Sequence, residues 1–472
     1  MILSGGERQS GTLPRIVSEL GTFKARLVST GHLLAGSFSS MFIGLAAFAI
    51  TARALGPTDY GLLALVFAYV RAMERLLSFQ SWQAIVKYGA PLLDNGQVGD
   101  YRSLLKFGFL LDAASAVLAC LLSIALVLAA APFLGIGEQM VQYTILCSLV
   151  LAIQIRGMPT AVMRLSGRFR MLAYGQLINS LIHLLLCAIG LYLGKGLFYF
   201  IIVLAGTHAI GAVTYLFVAF RTLWLQGIRG ILSAPLAGVR AKFPDIWGFA
   251  FSSNLSLTIR SSSQELDTLI VGALADPTAA GLYHIAKRVG RLAHQVGLQV
   301  QAVLYPDLAR LWARNKIREF KIAISQVEIL LLCFGLGTLG ILYFTIDELL
   351  RLTAGPLFAM AAPLVLVQMI AVIFRLAGSA VRSGLLAAGA HRQLLRIVLV
   401  STIGFHFTAF LLIPQIGAMG ANIAHIVAGV IWSVWIMITL RSILSHGKPS
   451  TTAGTEGADN GQPRTGLEDA GL

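Results

Sequence analysis

Arg71, Arg75, Ser78 and Trp82 stand at i, i+4, i+7 and i+11 within one apolar stretch, and Lys287, Arg291, His294 and Gln295 make a similar stripe in another. That spacing lines each set along one face of a helix. Guanidinium and ammonium groups so arranged are matched to oxyanions, and Arg holds phosphate oxygens through two parallel hydrogen bonds. The acids in comparable surroundings are fewer: Glu74, Asp112, Glu265, Asp267 and Glu328. A site built from these residues carries net positive charge. A hydrophobic cation would call instead for acids and aromatic cages.

The elements that must position these side chains are membrane helices. Hydrophobic residues make up 57% of the 472-residue chain and charged residues 12%, which excludes an ordinary soluble domain. Twelve apolar stretches are long enough for a helix to cross ~30 Å of hydrocarbon. They run over 31–53, 60–86, 107–131, 140–163, 172–193, 197–220, 248–275, 279–304, 322–346, 360–386, 394–413 and 419–441. Barrel strands would be ~10-residue alternating segments, which these are not. The fold expected is an all-α polytopic membrane protein with twelve transmembrane helices.

Charge inside such helices is costly and marks a cavity or a partner. Arg71 and Arg291 lie ~18 Å into their helices at 1.5 Å per residue, and Arg260 lies at a similar depth from the far end of 248–275. Arg71, Arg75, Arg260, Lys287 and Arg291 are therefore the candidate lining of a cationic cleft. Arg156 and Arg375 occupy equivalent places nearer the cytoplasmic ends, at the mouth of the cleft, where snorkelling competes with a binding role. Glu74, Glu265, Asp267 and Glu328 are candidate ion-coupling groups. A structural ion pair between Glu74 and Arg71, three residues apart, is an equally good reading of that acid. Asp112 is expected at an interface or against a neighbouring helix. His183 and His208 read as satisfied core groups, and Cys120, Cys147, Cys187 and Cys333 as packing residues without metal-ligand or disulfide spacing.

The chain carries one six-helix unit twice, at an offset of about 218 residues. Ala54-Leu55-Gly56-Pro57-Thr58-Asp59-Tyr60-Gly61-Leu62 returns as Ala273-Leu274-Ala275-Asp276-Pro277-Thr278-Ala279-Ala280-Gly281-Leu282-Tyr283, and Ala152-Ile153-Gln154-Ile155-Arg156 as Ala371-Val372-Ile373-Phe374-Arg375. Six is even, so both copies enter the membrane from the same side, related by an axis along its normal. The expected organisation is a lead-in over 1–29, bundles over 30–223 and 248–445, a flexible linker over 224–247 that serves as hinge, and a disordered tail from 446 to 472.

The formal charge of +15 is distributed unevenly. Lys24, Arg26, Lys87, Arg102, Lys106, Arg164, Arg229, Lys242, Arg310 and Lys316 fall on the side of the N-terminus, while Arg53, Lys195 and Arg351 face the other way. The positive-inside rule puts both termini in the cytoplasm. The basic excess is thus a topology signal, with anionic lipid headgroups as its partners and not nucleic acid.

The run Ala52-Arg53-Ala54-Leu55-Gly56-Pro57-Thr58-Asp59-Tyr60-Gly61, with Asp267-Thr268-Leu269-Ile270-Val271-Gly272 followed by Ala280-Gly281-Leu282-Tyr283 and Ala286, resembles the signature of Wzx-type polysaccharide and O-antigen flippases. These belong to the multidrug/oligosaccharidyl-lipid/polysaccharide exporter superfamily, with the MATE exporters and the lipid II flippase. The resemblance covers roughly 30–445. It implies two six-helix bundles in a V, a cationic central cavity, and movement of an undecaprenyl-pyrophosphate-linked oligosaccharide across the bacterial inner membrane for lipopolysaccharide or exopolysaccharide synthesis. It further implies energy from an ion gradient, with no cofactor, no catalytic residue and no resident metal. Partners implied are the lipid-linked oligosaccharide, membrane lipids and the polymerase or export machinery. By location, Arg71, Arg260, Lys287 and Arg291 become candidate pyrophosphate or sugar-acid contacts.

Three alternatives compete. A MATE-like ion-coupled drug antiporter predicts a net acidic cleft. A membrane glycan polymerase, ligase or acyltransferase needs a catalytic cluster near one face and usually a large loop; Asp347, Glu348 and Arg351 are the nearest approach to one. A non-transporting scaffold leaves the midplane charges unexplained.

Overall fold

The computed structural model describes residues 12–79, 81–134, 137–248, 251, 254, 258 and 265–446, with side chains from Ser39 onward. The regular elements among the described residues are all helices, with no strand among them. Helix α1 spans Thr12–Leu77 and bends at Gly56, whose φ of 73° is a left-handed conformation that glycine adopts without strain. Pro57 follows, lacking an N–H, and the helix restarts beyond it. The stretches expected at 31–53 and 60–86 are thus two arms of α1, the second continued by α2 (Trp82–Asp94). Next come α3 (Val98–Leu134), α4 (Glu138–Leu149), a 3-10 turn (Val150–Ile153), α5 (Gly157–Leu165), α6 (Phe169–Tyr192), α7 (Leu197–Leu225) and the short α8 (Val239–Lys242). The second half holds α9 (Asp267–Leu274), α10 (Pro277–Ala313), α11 (Ile317–Thr353), a 3-10 turn (Pro356–Ala361), α12 (Ala362–Ala387), α13 (His391–Ile416) and α14 (Ala418–His446). Most of the stretch expected at 248–275, Arg260 included, lies outside the described residues.

Among the described residues eight helices are long and apolar enough to cross a membrane, or nine if α4 and α5, bent by 42°, count as one broken span. α10 is absent from that set because Lys287, Arg288, Arg291 and His294 interrupt its apolar face. The outward faces of the bundle are apolar: Leu121, Leu128, Leu185, Phe217, Ile341, Phe344, Phe407 and Phe410 are all exposed. Apolar surface on this scale is a lipid-facing belt. The chain is a multi-pass membrane protein.

Two breaks interrupt the first half, between α1 and α2 and between the 3-10 turn and α5. One side chain serves both. Asp112, buried in α3, accepts hydrogen bonds from Ser81 N at 3.0 Å, Ser81 Oγ at 2.9 Å and Met158 N at 2.6 Å. It thereby satisfies amides left unpaired at the starts of α2 and α5. A Cβ on Gly157 would overlap the Asp112 carboxylate, so the close approach requires glycine there.

The segment after α7 is docked onto this half. Ile228, Ile231, Val239, Phe243 and Ile246 share one buried cluster with Ile85, Leu104, Val162 and Leu223. Arg102 donates to the Arg229 carbonyl at 3.1 Å, Lys106 to the Ala234 carbonyl at 2.8 Å, and Lys242 pairs with Asp100 at 2.5 Å. Residues 228–246 are therefore packed against α2, α3, α5 and α7.

The halves meet at the α1 bend. Thr58 Oγ1 and Thr278 Oγ1, 220 positions apart, are 3.2 Å from each other. A Cβ on Gly61 would collide with the Pro277 carbonyl, and one on Gly281 would come within 2.9 Å of Gly61 Cα. Tyr60 lies in the same buried cluster as Tyr283, Phe358 and Val365. Arg53 adds a bond from Nη1 to the Leu352 carbonyl at 3.0 Å. One end of the bundle is closed by matched residues of the two copies of the motif.

Candidate functional site

Beneath that seam lies a cavity of about 260 Å³, walled by both arms of α1, by α6 and α7, and by α10. Its polar lining is Arg71, Arg288, His183, His208, His284, Asn179, Ser180, Ser40, Thr51 and Tyr60, with no Asp or Glu among the described lining residues. Phe48, Phe67 and Phe200 supply the apolar part. Arg288 reaches across from α10: its Nη2 donates to the Gly44 carbonyl at 2.9 Å and its guanidinium lies 4.1 Å from the Phe48 ring centre. Ser40 Oγ and Asn179 Oδ1 are buried without a protein hydrogen-bond partner. The chamber can take an oxyanion and can stack a ring.

Arg71 joins this cavity to a smaller one, shared with Glu74, Gln154 and His208. Its Nη2 meets Glu265 Oε1 at 3.2 Å, and the guanidinium lies 5.2 Å from the Phe67 ring centre. Glu74 does not pair with Arg71, as the sequence spacing allowed. It meets Arg156 Nη1 at 3.3 Å, because rotation about α1 turns it toward the other wall. Arg156 is also held by Gln154 Oε1 at 2.9 Å, and remains largely exposed. Arg75 is exposed. Arg291 is half-buried, within electrostatic reach of Arg71, Glu265 and Asp267. Glu328 is half-exposed on α11, apart from these groups.

Lys287 stands elsewhere. Asp267, fully buried at the start of α9, forms an ion pair with the Lys287 ammonium. The same carboxylate accepts from Thr268 N at 2.6 Å, Thr268 Oγ1 at 3.2 Å and the Tyr283 hydroxyl at 2.8 Å. His425 Nε2 lies 3.1 Å from Asp267 Oδ2 and 2.8 Å from Tyr283 Oη, and Arg375 Nη2 lies 3.1 Å from His425 Nδ1. A guanidinium can only donate, so Nδ1 of His425 is an acceptor and its proton sits on Nε2. The imidazole is neutral, and the charge on Asp267 is balanced by Lys287. Arg375 is thus a support of this hub, in an environment unlike that of exposed Arg156 despite their equivalent sequence places.

Of the sequence candidates, the structure brings Arg71, Glu265 and Arg291 together, groups Glu74 with Arg156, and groups Lys287, Asp267 and Arg375. Arg75, though exposed, is within electrostatic reach of Arg71, Glu74, Glu265 and Arg156, while Glu328 joins none of these clusters. The four thiols are free; Cys120, Cys147 and Cys187 are buried and Cys333 is exposed. Sequence reasoning missed His284, Arg288, Asn179 and His425 as site residues. His425 carried a signal: with Asn422 it makes an i, i+3 polar pair inside an otherwise apolar helix, and intramembrane polar groups mark function or contact. His183 and His208, read as core groups, line the cavity.

Residues 27–312 match the family described as polysaccharide biosynthesis protein. The inner membrane protein YghQ of Escherichia coli K12 is 26% identical over 295 residues, which is 62% of this chain and 83% of that protein. Among solved structures, an inward-facing multidrug-resistance MATE transporter superposes with TM-score 0.65 at 14% identity, covering 88% of this chain and 96% of that one. The lipid II flippase MurJ in an inward closed conformation gives 0.65 at 14% identity, covering 87% of each. A transporter from Pyrococcus furiosus described as having a binding pocket of reverse polarity gives 0.59 at 15% identity, covering 89% of this chain and 96% of that one. These likenesses carry the fold: that of the exporter superfamily containing MATE and MurJ.

Proposed function

The chain belongs to the polysaccharide biosynthesis protein family, and on that premise we propose that it is a flippase for a lipid-linked oligosaccharide, carried on undecaprenyl pyrophosphate, in the bacterial inner membrane. Its twelve spans form two six-helix bundles, over 30–223 and 248–445, with both termini cytoplasmic. The bundles rock against each other to open the cleft to alternate sides. The observation that carries this reading is the polar lining of the cavity beneath the seam, without an acid among the described residues, where Arg71 and Arg288 converge from different helices. Arg71, Arg75, Arg291 and Arg260 hold the pyrophosphate or an acidic sugar, and Arg156 lies at the mouth. The joined end at Thr58 and Thr278 is the outer gate in its closed state. No covalent chemistry is required, and catalysis of movement rests on charge matching in a shielded cleft.

The basic lining disfavours a MATE-like drug antiporter, which needs acids facing a cationic solute. Polymerase, ligase and acyltransferase readings lack a reactive cluster among the described residues.

The test is a clean deletion in a strain without a redundant transporter. Lipid-linked repeat units are expected to accumulate on the cytoplasmic leaflet, measured by accessibility to a membrane-impermeant glycan label in oriented vesicles. Normal delivery to the outer leaflet in that strain would overturn the proposal. Arg71→Ala and Arg291→Ala are expected to reduce export at least tenfold with normal insertion, since each removes a charge-assisted contact worth roughly 1.5–3 kcal/mol. A polymerase would instead leave single repeat units exposed on the outer leaflet.

A further inference from the structure

The environment of Lys287 describes a cation site. Its ammonium sits on Asp267, a carboxylate with no solvent exposure. Around the same carboxylate stand three further polar groups from three helices: the Thr268 hydroxyl, the Tyr283 hydroxyl and the imidazole of His425. A lone buried carboxylate this deep cannot stay ionised without a counter-charge. Carboxylate and hydroxyl oxygens are the donor type that a small hard cation takes, and here both hydroxyls donate their protons to the carboxylate that holds the ammonium. The place such a cation would fill is filled by the side chain of the protein itself.

We propose that the Asp267 pocket is a monovalent-cation site whose resident cation is the tethered ammonium of Lys287, so that it binds no dissolved sodium while Lys287 is present. The remaining geometry fits this assignment. Arg375 is within electrostatic reach of the carboxylate but is held against Nδ1 of His425, with the imidazole between them, whereas Lys287 touches the carboxylate directly. His425, fixed as the Nε2–H form, donates to the carboxylate and adds no charge. Arg291 lies within electrostatic reach but is only half-buried, whereas Lys287 is almost entirely enclosed. A tethered cation is also always present, so the pocket stays charge-balanced whatever the ion composition on either side of the membrane. Any cation dependence of transport must then arise at another group. The inference stands apart from the transport reading, since it concerns occupancy of a pocket and not what the protein moves.

Removing the ammonium should open the pocket to small cations from solution. The experiment is thermal unfolding of the purified full chain in detergent, with sodium, lithium, methylammonium or the larger tetramethylammonium as chloride salts at equal ionic strength. Wild type is expected to show the same Tm in all four. Lys287→Ala is expected to unfold at a lower temperature and to be restored by roughly 2–4 °C in sodium, lithium or methylammonium, but not in tetramethylammonium, which is too large. Lys287→Ala combined with Asp267→Asn is expected to lose that dependence, because the anionic centre is gone. Lys287→Ser, which also empties the space, supplies the same comparison if the alanine variant does not fold. A sodium-specific stabilisation of wild type would overturn the proposal. So would a folded Lys287→Ala or Lys287→Ser variant indifferent to all four cations. Failure of both would leave the export measurements untouched, so the two readings fail separately.

Discussion

Asp112 and Asp267 are both buried carboxylates in a membrane bundle, yet they are stabilised by opposite means. Asp112 is held by neutral donors, two backbone amides and one hydroxyl, at a point where two helices are broken. Asp267 is held by an ammonium, two hydroxyls, an amide and an imidazole, contributed by α9, α10 and α14. The first half of the molecule uses its acid to finish backbone that the helices leave open. The second uses its acid to assemble side chains. At the repeat offset of about 218 residues each acid faces an apolar counterpart, Leu330 for Asp112 and Phe48 for Asp267 within one residue. Among the described residues, then, neither device has an acidic counterpart at the repeat offset.

The comparison can be broken most directly at Asp267. Asp267→Asn leaves Lys287 buried without a counter-charge and is expected to cost about 3–5 kcal/mol. The measurement is thermal unfolding in detergent, and Asp267→Asn with Lys287→Met should recover most of the loss because no charge is then stranded. Recovery absent in the double variant would mean that the hydroxyl contacts, not the ion pair, hold the hub together. Asp112→Ala comes next, at about 2–3 kcal/mol for two orphaned amides and a hydroxyl. Asp112→Asn should cost visibly less than alanine, since one acceptor oxygen remains and no cation depends on it. Equal losses at Asp112 for asparagine and alanine would erase the proposed contrast with Asp267. The Arg71–Glu265 pair, partly exposed, should couple by about 1 kcal/mol in a double-mutant cycle on unfolding. Smallest is Lys242→Ala. Its pair with Asp100 is solvent-exposed and should contribute under about 1 kcal/mol, with the apolar docking of residues 228–246 unaffected.

Much of the architecture could be read before any coordinates: apolar length gave membrane helices, and of the basic residues singled out, Arg71 lines the larger cavity. What sequence could not supply was partners. Spacing along one helix identifies neighbours at i+3 and i+4, which is why Glu74 was weighed against Arg71. The actual partner of Glu74 is Arg156, on another element, and that of Arg71 is Glu265, beyond three intervening spans. Helix rotation decides such pairs, and it is set by packing of the whole bundle. The same limit hid Arg288. On paper it is one more charge beside Lys287, but adjacent residues on a helix point about 100° apart. One enters the hub and the other the cavity of the first half. Residues 228–246 read as a hinge by their glycines and prolines. Their apolar side chains, spaced irregularly between those residues, are what dock them.

The double duty of Asp112 has a consequence for how the chain is made. A ribosome delivers the protein from its N-terminus, so α2 enters the bilayer with the amide of Ser81 unanswered until α3 arrives with its carboxylate, 31 positions later. The start of α5 follows, and Met158 finds the same carboxylate already waiting, 46 positions behind it. The third span is thus the one on which its neighbours on both sides depend. In this half the backbone at both breaks is satisfied by that carboxylate once α2, α3 and α5 are together.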